Sequence, residues 1–560
     1  MKKLASQQEA SDIPRIVKEL KAAAQDGKEK NAHLLDVLAQ SLDEANVAAM
    51  VKAGAIGPLV GLVAQGTDGG QIHAASTLAS IAAGQRENQM QVVKAGAITP
   101  LVVLLRSGSE KAQMHAAHAL ASLSEDHDHQ KPIIKAGAIN PLVRLVRVGI
   151  DDAKVHASSA IANLADQNPE AQAAIFAGGA TPLLLQMLHS GKSQTSAANA
   201  LAKLLSPAPN DVTPIYAASA PANVEVQEAV WKEGGIAPLL ALLNGVNIAA
   251  QVNAAAALAN LARGNAEAQS LIARAGGIGP ILALLPSRNS QAQAQGANAL
   301  AQVARFHREN QDSIARMGGL PLLVSLLQSS SPLEVQAMAA LALTEICRNN
   351  YDNQSSTAEL GSISSLVIQL RGGERGGLNH AHGTPAPWVD EVKAEAAGAV
   401  WVLSQDHVAN KVAIAKAGGI PPTVSLLATG GFRGLEHAGH ALATLGLDNV
   451  DNQIQITTLL VGLLLNGSAD AKVSAAASLW RLVQENPESQ QAIATAGPTS
   501  DLIGLLKDGT KGAKAYALWS LSLSINETNQ RTLLEEDAVE SLVSEHLYRV
   551  RVRVGVRVGG

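Results

Sequence analysis

One eight-residue phrase, met three times at a nearly constant interval, constrains this chain more than any other feature. Ala53-Gly54-Ala55-Ile56-Gly57-Pro58-Leu59-Val60 returns with Pro100 and again with Pro141 at the register of Pro58. Equivalent positions follow at Pro182, Pro238, Pro280, Pro321, Ser365, Pro422, Thr458, Asp501 and Ser541, and Pro14 marks a degenerate unit ahead of them. Most intervals lie between 40 and 44 residues. That period excludes arrays built on about 33 or 34 residues and fits helical arrays of about 40–47. Length alone would predict several independent domains, whereas the period predicts one repeated packing solution.

Each unit carries its own punctuation. A short helix, Asn88 to Lys94 in one copy, is predicted to end at Gly96, which takes the left-handed conformation that closes a helix. Thr99, Asn140 and Thr181 are predicted as N-caps of a second helix with proline at N1. That second helix is short and apolar, as in Leu101 to Leu105. A polar loop leads to a third, longer helix, Lys111 to Ser124, with alanines at i, i+3, i+4 spacing. Composition agrees. Hydrophobic residues make up 47% of the chain but aromatics only 2%, so alanine and aliphatic side chains must fill the interior and helices can approach closely.

Three helices in about 42 residues resemble the armadillo-repeat family, and the resemblance runs from about residue 13 to 545. It implies an all-α, right-handed superhelical solenoid of about 12–13 three-helix units, with third helices lining a concave groove. The organisation read from it is an N-terminal segment 1–12, a solenoid 13–545 and a Val/Arg-rich basic tail 546–560. Insertions at 206–223 and 371–390, rich in Pro and Gly, read as surface loops. The stretch 445–456 lacks the Ala-Gly-Ala-Ile phrase, which predicts a missing or distorted first helix and a local change of twist. The tail, with Arg549, Arg551, Arg553 and Arg557, reads as a solvated segment or as a strand awaiting a partner.

Other functions are argued against by what the residues offer. A formal charge of −5 gives no global basic field for nucleic acid. The one cysteine, Cys347, forms no intramolecular disulfide and reads as a buried structural thiol in a reducing compartment. The first residues contain no apolar signal core, Lys2 stands where myristoylation needs Gly, and no run of 18 apolar residues is present. The expectation is a cytoplasmic chain that also reaches the nucleus, monomeric, without membrane insertion. Nucleotide-loop, zincin and paired-cysteine motifs are absent from the sequence. His115-x-x-His118 and His437-x-x-His440 each offer two imidazoles without an evident third ligand. No catalytic residue, metal, cofactor or small-molecule substrate is expected.

The informative residues form columns across units. Aligning third helices brings Asn163, Asn260, Gln302 and Gln405 into one register with Glu345, Thr444 and Arg481. The family resemblance implies that an Asn there hydrogen-bonds the backbone of an extended peptide; an amide both donates and accepts, which suits a peptide bond. Asn199, Asn253, Gln295 and Asn298 lie in neighbouring columns. Three residues beyond the ladder stand Arg263, Arg305 and Arg348, preceded in that column by Glu125 and Asp166. Arginine binds carboxylate or phosphate in bidentate fashion, so the expected partner is an acidic or phosphorylated extended protein segment. His73, His115, His156 and His437 share a register two turns earlier, joined by His118 and His440, and read as polar groove lining. A column of glutamines opening the first helices, Gln89, Gln130, Gln172, Gln227, Gln269, Gln311, Gln354, Gln453, Gln490 and Gln530, reads as a repeated inter-unit hydrogen bond. The alternative function is a nuclear-import adaptor resembling importin α, for which Trp401 and Gln405 approximate that family's Trp–Asn pair, while Trp480 and Trp519 fall one position before the ladder.

Overall fold

The computed structural model describes residues 10–41, 44–207, 221–372 and 388–483, and among them every regular element is helical. A complete unit comprises, for example, Arg86–Lys94, Ile98–Ser107 and Glu110–Leu123. The first helix ends as expected on a left-handed glycine: Gly96, Gly137 and Gly418 have φ of 81°, 79° and 77°. A side chain there would strain the backbone, which is why glycine holds the column. The second helix begins earlier than the sequence suggested. Its N-cap is Ala97, Ala138 or Gly179, so Thr99, Asn140 and Thr181 lie inside the first turn and do not cap it. Proline then stands at N3, where its missing N–H is still one of the unpaired donors of a helix start.

The chain divides into two compact bodies, residues up to Pro280 and residues from Ile281. In the first, third helices Gln25–Ala39, Asp68–Ala82, Glu110–Leu123, Asp151–Ala165, Gln194–Leu204 and Ile248–Ala262 pack in succession. In the second, Ser290–Ala304, Leu333–Cys347, Val389–Ser404, Phe432–Gly446 and Ala469–Val483 do the same. Alanines make the close approach: Ala112, Ala116, Ala117 and Ala119 are all buried. Each body is thus an all-α array of one repeated helical unit. The unit that lacks the Ala-Gly-Ala-Ile phrase has one continuous helix, Val450–Asn466, where other units break between first and second helices.

Residues 221–223 of the first predicted loop open the helix Pro221–Lys232, and Val389–Asp390 of the second open Val389–Ser404, so both insertions are shorter than the sequence suggested. Residues 208–220 and 373–387, the last repeat anchors at Asp501 and Ser541, Gln490, Gln530, Trp519 and the tail 546–560 lie outside the described residues, as does the side chain of Trp480.

The glutamine column closes the ends of third helices. The last carbonyls of a helix have no partner within it, and here they are buried. Gln89 Nε2 donates to Ser122 O at 2.9 Å, Gln227 Nε2 to Asn260 O at 2.9 Å and Gln311 Nε2 to Glu345 O at 2.9 Å, each reaching the third helix of its own unit. Gln354 and Gln453 instead reach Cys347 O and Gly446 O on the preceding third helix. Where the column holds Lys411, its Nζ donates to Leu447 O at 2.7 Å, and burial lowers its pKa. The residue before the glutamine does matching work: Asn310, Asn353 and Asn452 donate to Val303 O, Ile346 O and Leu445 O. Cations close the first helices in the same spirit, as Lys21, Arg106 and Arg371 donate to Ala53 O, Ala136 O and Ala417 O.

Two stability outcomes follow from this wiring. Gln311→Ala leaves buried carbonyls unpaired and should lower unfolding free energy by about 1–3 kcal/mol in urea titrations. The residue after the C-cap of the third helix sits at positive φ, and at Gln167 that φ is 52°. Gln167→Gly relieves the strain and should raise stability by about 0.5–1 kcal/mol in the same assay.

Candidate partner-binding face

The ladder amides of the first body are anchored, and only in part. Asn163 Nδ2 donates to Ala121 O at 3.0 Å and to Ser124 Oγ at 3.3 Å on the preceding third helix. Asn253 Nδ2 and Asn260 Nδ2, two turns apart on Ile248–Ala262, donate to Thr195 O at 3.2 Å and Ala202 O at 2.9 Å. All three side chains are half-buried, and none of their Oδ1 atoms accepts a hydrogen bond among the described residues. Each amide is therefore fixed in orientation while keeping an acceptor to offer. Asn199 is half-buried as well, on the intervening helix Gln194–Leu204.

The second body treats the predicted residues differently. Gln302 is buried and donates to Asn298 Oδ1 at 3.3 Å, so this pair bonds internally. Gln405 is not a ladder residue. It is the C-cap of Val389–Ser404, equivalent to Arg305 and Arg348, which cap the preceding third helices. The ladder position of that unit is Val402, and the offset arose because the adjoining insertion removes the landmarks that fix register. Arg348 is only 6% exposed and holds Glu345 through two bonds of 3.1 Å. Its guanidinium also lies over the rings of Phe306 and Trp401, at 5.5 and 5.2 Å from their centroids. Trp401 in turn stacks on His440 with centroids 4.5 Å apart. Arg305 lies over Phe306 at 5.4 Å. The acids expected early in the groove are also engaged: Asp166 pairs with Lys203 at 2.8 Å and Glu125 accepts from Gln89. The charge contrast read from the sequence is thus largely neutralised by internal pairs.

Histidines line both bodies. His118 stacks on His156 with centroids 4.2 Å apart, and burial holds His118 down to about 4. His440 is likewise pushed to about 4, by burial first and by nearby Arg481. His437 Nδ1 donates to Ala394 O, 2.8 Å away, and is buried. Beside it lies a group without a repeated counterpart to announce it: Glu395, fully buried, whose Oε1 accepts from Arg433 at 2.8 Å while Oε2 is unbonded. Phe306, exposed at a left-handed φ of 54°, was equally invisible to column reading. His33, by contrast, lies 40 residues before His73, and the period would have found it.

Two groups that resemble catalytic parts are held in inactive states. Burial pushes the Cys347 thiol up to about 12, and its sulfur lies 3.2 Å from Thr357 Oγ1. His407 Nε2 is 2.9 Å from Ser355 Oγ, but His407 Nδ1 accepts from the Asn410 N–H. The proton then sits on Nε2, which donates to the serine and cannot act as its base. Among the described residues no cluster of three or more His, Cys, Asp or Glu is arranged to hold a metal ion, and no single helix is long and apolar enough to cross a membrane.

Burial pushes the Glu395 carboxyl up to about 7 against the opposing pull of Arg433. A carboxyl raised in the folded state binds more protons there than when unfolded, so stability falls as pH rises from about 4.5 to 7. Glu395→Gln keeps an acceptor for Arg433 and should flatten that slope. Urea titrations should find it about 1–3 kcal/mol more stable than wild type at pH 8 and equal to it near pH 4.

Comparison with known proteins agrees with this architecture. The model of the Armadillo/beta-catenin-like repeat matches residues 85–125, 223–263 and 307–348, each segment running from a first helix to the end of a third. The crystal structure of an engineered protein is 31% identical, with a TM-score of 0.60, over 78% of this chain and 98% of that one. A second engineered protein is 32% identical over 44% of this chain and 96% of its own, with a TM-score of 0.39. No curated protein sequence matches the chain. The repeat model, the identity to a solved structure covered almost end to end and the three-helix unit agree: the chain belongs to the armadillo/beta-catenin-like repeat family, whose fold is a non-catalytic scaffold suited to binding proteins and peptides.

Proposed function

We propose that the chain is an adaptor that docks an extended segment of a partner protein along the third helices of its first body. The observation that carries this is the anchored amide. Asn163, Asn253 and Asn260 are half-buried, donate through Nδ2 to the neighbouring helix and keep a side-chain carbonyl oxygen for a partner. An amide already fixed in place loses little further freedom when it meets a peptide N–H, so the bond contributes more of its enthalpy to affinity.

An acidic or phosphorylated segment remains the preferred partner in this reading, with a narrower basis than three arginines. Arg305 belongs to the second body, so within the first the preference rests on the basic side chain of Arg263 at the end of its third helix. A nuclear-import adaptor resembling importin α is the alternative. Against it stands Trp401, flanked by Arg348 of the preceding unit and stacked on His440 of the following one, so a partner's lysine meets an occupied ring.

Linear dodecamer peptides selected by display on the wild-type chain provide the test. Their affinity for the Asn163→Ala/Asn260→Ala variant should fall about 10–100-fold, the worth of two hydrogen bonds, with the helical circular dichroism unchanged. Arg263→Glu should weaken acidic selected sequences and spare neutral ones. Undiminished affinity in the asparagine variant would overturn the docking face.

A further inference from the structure

Five imidazoles form a stripe across four successive third helices of the first body. His33 lies on Gln25–Ala39, His73 on Asp68–Ala82, His115 and His118 on Glu110–Leu123, and His156 on Asp151–Ala165. The rings of His33 and His73 have centroids 4.4 Å apart, and those of His118 and His156 are 4.2 Å apart and nearly parallel. The stripe thus holds two imidazole pairs in contact and is half-buried throughout. His33 Nδ1 and His115 Nδ1 are closed off from solvent and make no hydrogen bond.

The charged groups around the stripe leave it short of anions. Asp36 is the nearest carboxylate, and it is already held by His73 Nδ1 at 2.8 Å and Gln40 Nε2 at 3.0 Å. Glu29, one turn before His33, bonds Thr67 at the start of the next third helix. Lys111 and Asp152 stand one turn before His115 and His156, and oppose each other in sign. Five adjacent imidazoles therefore face two carboxylates, Asp152 and the already engaged Asp36, and each positive charge added to one repels the next.

We propose that this histidine stripe is a proton-coupled docking surface for a carboxylate-rich polypeptide segment, which binds as the imidazoles take up protons. The proposal rests on the third-helix face of this body being the docking face, and assigns its histidine end to acidic side chains. In the free chain His115, His118 and His156 resist protonation. Burial lowers His115, His118 and His156, and their neighbouring imidazoles lower them further. An approaching carboxylate opposes the repulsion between imidazoles, because it supplies the opposite charge that favours the protonated ring. Raised pKa values in the complex mean proton uptake on binding. By linkage the affinity then rises as pH falls through the bound-state values, and the gain is complete only below the free-state ones.

The test uses the full chain, a fluorescein-labelled oligo-aspartate dodecamer and its oligo-asparagine counterpart, at pH 7.5 and 5.5 and constant ionic strength. Aspartate, with an ordinary pKa of about 3.9, stays ionised at both. Circular dichroism at both pH values checks that the chain stays folded. Anisotropy titrations should show oligo-aspartate binding at least fivefold tighter at pH 5.5, with no such gain for oligo-asparagine. His118→Gln/His156→Gln should bring the ratio below fivefold. Calorimetry of the wild type at pH 6.0, in two buffers of different ionisation heat, should show net proton uptake and does not depend on any variant folding. A ratio below fivefold in the wild type, a ratio that survives the substitutions, or zero proton uptake would overturn the proposal. The display-selected peptides report separately on the docking face: their loss of affinity in the asparagine variant can stand while the pH dependence fails, and the converse result is equally readable.

Discussion

Everything in this structure depends on one unmet need: the last carbonyls of each third helix are buried where water cannot reach them. A helix leaves four such acceptors unpaired, and burying one without a partner costs about 1–3 kcal/mol. The chain answers with side-chain amides from the first helices, Asn310 with Gln311 and Asn353 with Gln354 in adjoining units. Because some of these amides reach forward to the third helix of their own unit and others back to that of the preceding unit, the column closes helix ends and joins units. Lys411 shows that the donor matters more than the residue type, since it performs the same task as a cation and accepts a lowered pKa to do so.

Satisfying the helix ends from the first-helix side leaves the third-helix face free to vary. That face carries the differences between units: anchored asparagines and stacked histidines in the first body, and in the second a ring-and-guanidinium stack from Phe306 through Arg348 and Trp401 to His440. The two faces obey different rules. Substitutions on the first helices act on stability, whereas substitutions on the third-helix face act on what the scaffold can hold. The second body also pairs charges internally, with Glu345 on Arg348 and Glu395 on Arg433.

The fold was legible in the sequence because a period of about 42 residues survives large changes of side chain. Gly96 and its equivalents marked helix ends correctly, since only glycine relieves the left-handed strain there. Helix starts were less legible: proline suits several first-turn positions, and placing Pro100 at N1 shifted the cap from Ala97 to Thr99. The glutamine column was visible as a column, while its asparagine neighbour went unnoticed because histidine replaces it at His129 and other residues elsewhere. Site chemistry was the least legible. Register failed after the insertion, where Gln405 was placed three residues from its true equivalents. Charge pairing is a three-dimensional fact, so Arg348 read as available although Glu345 holds it one turn away. Glu395 gave no signal at all, for a lone glutamate in an alanine-rich helix looks the same whether it faces water or the interior.

The central claim is that a partner segment lies extended against the third helices of the first body, its main chain held by the anchored amides. The most direct measurement is a crystal structure of the chain bound to a display-selected dodecamer. The account predicts an extended peptide whose main-chain N–H groups donate to the Oδ1 atoms of Asn163 and Asn260. A peptide seated on the first or second helices, or folded on itself away from those amides, would contradict it.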